Sequence, residues 1–211
     1  MAEYSSDEER FAALVNFFKD NKNILLIVFS VISVFFITSI SLNSYNNSQN
    51  EKAAEIYDVW FSTFSNDSKD GQDYYNSLQT EYSNTGYAQL ATMIKASSLA
   101  REGDLDSALI DFSELLDASS GIFGNEMLSS IAKINIARIE LSKKNYTDVL
   151  KTLESFNSNS EHSLVYEIKG DALLGLQKND LALDQYSLAL ENTQNESQKS
   201  LIKMKINRVN N

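Results

Sequence analysis

Nineteen consecutive residues, Ile24 to Leu42, carry no charge, and the uncharged run extends from Asn23 to Asn50. As a helix rising about 1.5 Å per residue, the apolar part spans roughly 28 Å, close to the hydrocarbon thickness of a bilayer. Its Ser and Thr hydroxyls are tolerable there because a helix lets them bond to carbonyls one turn back. The segment reads as one transmembrane helix, 24–42, between a short tail, 1–23, and a linker, 43–50.

Two other readings compete. A cleaved signal peptide has a basic start, a shorter apolar core and a small-x-small cleavage site. This chain starts acidic (Glu3, Asp7, Glu8, Glu9) and has no Ala-x-Ala after the core. A buried core helix would carry some polar face. Arg10, Lys19 and Lys22 precede the span, against Lys52 alone soon after it, so the tail is expected in the cytoplasm and the larger part outside.

The residues after the span suffice for one domain with a sizeable core. There is no Cys, which excludes a disulfide framework, a thiolate zinc site and a catalytic thiol. Net charge is −11, of which the tail holds −2 (three basic against five acidic), leaving −9 beyond it and no basic block. Nucleic acid and anionic headgroups are therefore not expected partners.

Proline is absent and only seven Gly occur, too little punctuation for a strand-rich domain. Apolar residues advance by three and four, as in Ile131, Ile134, Ile136, Ala137 and Leu141. The fold class is all-α, with domain helices of about 12 to 16 residues set by breaks at short polar clusters.

Three segments share one pattern: 89–119, 130–159 and 163–192. In the third, Tyr166, Gly170, Leu173, Ala182, Tyr186 and Ala189 occupy positions 4, 8, 11, 20, 24 and 27 of a tetratricopeptide repeat. The slots at 8, 20 and 24 hold Ala96, Ala108 and Phe112 in the first and Ala137, Val149 and Leu153 in the second, where Tyr146 follows the turn. The units are offset by 41 and 33 residues, the second near the usual period of about 34. Small residues at 8 and 20 let paired helices approach, and the bulky residue at 24 fills against the next repeat. A degenerate leading unit, about 51–84, would cover one open end with Trp60, Phe61, Phe64, Tyr75 and Leu78. A capping helix, 197–209, would cover the other with Leu201, Ile202, Met204, Ile206 and Val209, its N-cap being Asn195 or Ser197. The repeat domain is thus expected over 51–211.

An acidic tail, Phe17-Phe18-Lys19 before one span, Leu150-Lys151-Thr152-Leu153-Glu154, Ile168-Lys169-Gly170-Asp171-Ala172-Leu173-Leu174 and a terminal Met204-Lys205-Ile206-Asn207 occur in this order. On these the chain resembles the YfgM family, the single-span ancillary subunit of the bacterial Sec translocon. The resemblance implies a non-catalytic inner-membrane protein with a periplasmic repeat domain. The partners it implies are the translocon, a PpiD-like foldase and emerging unfolded chains.

Enzyme signatures are missing: there is no His/Cys cluster, phosphate loop or nucleophile elbow, and the single His162 stands in an inter-helix turn. No cofactor, metal or small-molecule substrate is expected. Positions 2, 5, 9 and 12 of each first helix line the concave face of such a stack. They are Leu90, Met93, Ser97 and Ala100; Ile131, Ile134, Arg138 and Leu141; and Leu164, Glu167, Asp171 and Leu174. They form either a peptide groove with Arg138, Glu167 and Asp171 as polar pins or ordinary core, and Arg138 either meets a partner carboxylate or neutralises Asp171. The function is expected to be a translocon adaptor; the alternative is a tethered scaffold for another envelope assembly, in outer-membrane biogenesis or division.

Overall fold

The computed structural model describes residues 7–65, 71–121, 124–156 and 163–210, which are helices joined by turns, with no strand among them. His162 lies outside the described residues. The chain divides into two compact units, Met1–Lys52 and Ala53–Asn211.

The first unit holds α1 (Asp7–Asp20) and most of α2 (Lys22–Ser65). At 44 residues, about 66 Å, α2 is long and apolar enough to cross a membrane by length and composition, and none of its most apolar window is buried. Ser30 Oγ donates to the Leu26 carbonyl at 2.8 Å, the one-turn bond expected of a hydroxyl in an apolar helix. Residues 43–50, expected as a linker, continue this helix; they include neither Gly nor Pro, so nothing in them stops it.

The second unit starts with the last turns of α2 and continues through α3 (Gly71–Glu81), α4 (Gly86–Glu102), α5 (Leu105–Ser119), α6 (Glu126–Ser142), α7 (Tyr146–Thr152), α8 (Ser163–Gly175), α9 (Asn179–Glu191) and α10 (Glu196–Asn210). α4 pairs with α5, α6 with α7 and α8 with α9; α4, α6 and α8 touch in series, and α10 lies on α9. The helices are less uniform than expected, since α7 has only seven residues and ends at Thr152, with Leu153 as its C-cap.

The repeat slots are filled as the packing argument requires. Ala96, Ala108, Ala137, Val149 and Ala182 have no exposed surface, and neither does Tyr186. A Cβ built on Gly170 would stand 2.5 and 2.6 Å from two carbons of the Tyr186 ring, so the aromatic at 24 occupies the space that a side chain at 8 would need. Tyr146, at the start of α7, presses its ring on Gly175 of the following repeat.

All three hairpin turns have one geometry. Gly103, Lys144 and Gln177 adopt the left-handed conformation, with φ of 91°, 63° and 60°. Each is followed by a backbone N–H that reaches the carbonyl five residues back: Asp104 to Leu99, Asn145 to Glu140 and Lys178 to Leu173, at 3.0, 2.9 and 2.9 Å. This is the helix-ending pattern that usually calls for glycine, and here only the first turn has it. The three residues stand 41 and 33 apart, the same offsets as the repeats.

The ends close differently from the sequence expectation in two places. Trp60, Tyr75 and Leu78 are buried together and Phe64 packs on them, whereas Phe61 is 45% exposed and stacks on Tyr57. On α10, Ile202 is buried and Ile206 and Val209 pack beside it, while Leu201 and Met204 are exposed. Positions 202, 206 and 209 form one helical stripe, and 201 and 204 lie off it. Asn195 is the cap, its Oδ1 accepting from the Gln198 N–H at 3.0 Å.

Candidate protein-binding groove

A cavity of about 430 Å³ opens between α4 and α6. From α4 it takes Ile94, Ser97 and Arg101, and from α6 Asn135, Arg138 and Ser142, both triplets spaced by three and then four residues. Ala100, Leu105, Phe112 and Ile139 supply the apolar floor. The helices bring these side chains to one surface because the small residues Ala96 and Ala137 let the stack close behind them.

The twelve side chains expected on the concave face are not all in one place. Arg138, with Ser97 and Ala100 beside it, lines the cavity and is exposed. Leu90, Met93 and Ile131 are half-buried against the core of the first repeat, and Ile134 and Leu141 against that of the second. Leu174 packs on the last core, and Leu164 is 38% exposed. Glu167 and Asp171 are engaged by the C-terminal helix: Lys205 Nζ stands 2.6 Å from Glu167 Oε1 and 2.7 Å from Asp171 Oδ2. Asp171 also accepts from the Tyr186 hydroxyl at 2.8 Å. Arg138 therefore does not neutralise Asp171; Lys205 does.

Burial works against the Lys205 ammonium, yet its hydrogen bonds to Asp171 and Glu167 prevail and hold its pKa above the ordinary lysine value. Tyr186 is shifted upward as well, first by burial and then by the Asp171 carboxylate that its hydroxyl serves. Both shifts mark this cluster as a closed polar network between α8, α9 and α10.

Arg101, Asn135 and Ser142 were not expected in the groove. Their signal lies in the spacing: Arg101 and Ser142 lie one turn after, and Asn135 one turn before, the residues Ser97 and Arg138 that occupy slot 9. A second cavity, about 610 Å³, lies among the end of α2, α3 and α4, with Trp60, Phe64 and Tyr75 on its wall. Its cation is already paired, Lys95 Nζ being 2.7 Å from Asp111 and 4.7 Å from the centre of the Tyr75 ring.

Stacked helical hairpins with their first helices along one open face define a repeat-type binding protein. The tetratricopeptide repeat-like domain family matches residues 16–211, and the chain belongs to that family. It is 28% identical over 130 residues to the "Ancillary SecYEG translocon subunit" of Buchnera aphidicola subsp. Schizaphis graminum, covering 62% of this chain and 64% of that one. It is 24% identical over 121 residues to the protein of the same name from Buchnera aphidicola subsp. Acyrthosiphon pisum, covering 57% and 61%. The matches thus span somewhat under two thirds of these curated relatives, and they bear the name that the YfgM resemblance implies. No solved structure matches the chain significantly.

Proposed function

We propose that this chain is a non-catalytic, membrane-anchored adaptor of a bacterial Sec translocon. The observation that carries the reading is the likeness to ancillary translocon subunits in a chain with one membrane-length helix and a repeat domain. In this reading α2 holds the protein in the inner membrane, and the basic residues Arg10, Lys19 and Lys22 keep its N-terminus in the cytoplasm. The repeat domain then faces the periplasm, where it meets a PpiD-like foldase and emerging polypeptides through its concave face.

Crosslinking in native membranes followed by mass spectrometry tests the partner. Translocon subunits and a membrane-anchored foldase are the expected products; products confined to outer-membrane biogenesis or division proteins would replace the adaptor reading with the scaffold one. Topology is tested by a reporter fused after Asn211. One that works only in an oxidising compartment is expected to be active, and strong activity of a cytoplasm-only reporter would reverse the orientation.

A further inference from the structure

We propose that the cavity between α4 and α6 receives an acidic stretch of extended polypeptide, with Arg101 and Arg138 as its anion-binding pair. The inference rests on the adaptor reading and specifies the chemistry of what the adaptor holds.

Arg101 and Arg138 line the same cavity, no Asp or Glu lines it with them, and neither has an ion-pair partner among the described residues. Other cations of this acidic domain are committed to carboxylates, Lys95 to Asp111, Lys143 to Asp106 and Lys205 to Glu167 and Asp171. Two open guanidinium forks in such a setting are complementary to carboxylates, which Arg binds with paired, charge-assisted hydrogen bonds.

The rest of the lining favours a peptide over a free anion. Ser97 Oγ donates to the Met93 carbonyl at 2.7 Å, and Asn135 Nδ2 to that of Ile131 at 2.9 Å. The Ser97 donor is thereby used and one of the two Asn135 N–H donors remains, so the Ser97 hydroxyl oxygen and Asn135 Oδ1 accept while Asn135 still donates, which matches the N–H and C=O groups of an extended backbone. The cavity, about 430 Å³, lies within the roughly 300 to 1,000 Å³ of sites that enclose most of a bound group. The surrounding negative charge repels acidic chains that cannot place their carboxylates on the two arginines, which adds selectivity by exclusion.

The test uses the full chain in nanodiscs and two fluorescent peptides blocked at both ends, Ser-Leu-Asp-Ala-Glu-Leu-Ser and its amide twin Ser-Leu-Asn-Ala-Gln-Leu-Ser. The acidic peptide is expected to bind about tenfold or more tightly than the twin, a preference that falls with salt. Arg101→Gln and Arg138→Gln together should erase that preference with the melting temperature unchanged, and Arg138→Lys should restore only part of it. Equal binding of the two peptides, binding of neither, or a preference that survives the double substitution overturns the inference. The peptide comparison is made on the parent protein, so it does not depend on the variants folding. Crosslinking of the parent to the translocon, run in parallel, separates the two levels. If that crosslink forms while the peptides do not discriminate, only this inference fails; if it does not form, the adaptor reading fails.

Discussion

Lys205 of the last helix bonds both carboxylate oxygens of Asp171, 34 residues earlier, at 2.9 and 2.7 Å. The same ammonium takes Glu167, which is 7% exposed, and lies 5.9 Å from the centre of the Tyr186 ring. One lysine therefore holds two carboxylates of α8 and ties the terminal helix to the repeat it covers.

Lys205→Met should destabilise the domain by about 2 kcal/mol, because it leaves Glu167 in an apolar setting without its counter-charge. Asp171→Asn should cost less, since Glu167 still pairs with the lysine. Chemical denaturation of each variant checks the order; equal losses would mean that Asp171, not Glu167, is the main counter-ion.

The same cluster predicts sensitivity to alkali. Lys205 and Tyr186 bind their protons more tightly in the folded protein than in the unfolded chain. Their contribution is present at neutral pH and is lost as pH rises above about 10, where the unfolded chain releases those protons first. Urea melts at neutral and strongly alkaline pH should show a smaller loss for the double variant Lys205→Met, Tyr186→Phe than for the parent.

Gly170→Ala places a methyl carbon against a Tyr186 ring that has no exposed surface to move into. The expected cost is about 1 to 3 kcal/mol, outweighing the gain of about 1 kcal/mol in helix propensity. Ala182→Leu, at a position with no exposed surface, should behave likewise. Thermal melts decide, and an unchanged melting temperature for Ala182→Leu would break the register assigned to the third repeat.

At the turns, Lys144→Gly and Gln177→Gly should each stabilise by about 0.5 kcal/mol. Relief of the left-handed strain exceeds the extra freedom that glycine gives the unfolded chain. Gly103→Ala should lose about 1 kcal/mol at the matching position. Opposite signs in denaturant midpoints across these sites are the signature to look for.

The repeat was legible in the sequence because its slots are defined by size: Ala96, Ala137 and Gly170 recur where helices nearly touch, and Phe112 and Tyr186 where a gap must be filled. The left-handed turns at Lys144 and Gln177 were not, since their backbone is imposed by the flanking helices and not by a residue that prefers it. The ties of Glu167 and Asp171 were hidden for another reason. They depend on the rotation of α10, and only the structure shows that Lys205 shares a face with Ile202. Arg138 stands on the cavity wall at the slot where the sequence put it; Arg101, on the same wall, lies one residue beyond the end of the expected stripe.

The apolar interior of the second unit comes as four successive clusters, each built from neighbouring elements, with no common centre. Such a chain melts like a row of coupled cells, in which a disturbance spreads only as far as the coupling between adjacent cells carries it. The terminal cell, around Tyr186 and Ile202, can then open and reclose while the cell beneath Arg101 and Arg138 keeps its shape. Amide hydrogen exchange would register this as protection that rises from α10 inward to α5 and α6, a gradient along the chain instead of one global value.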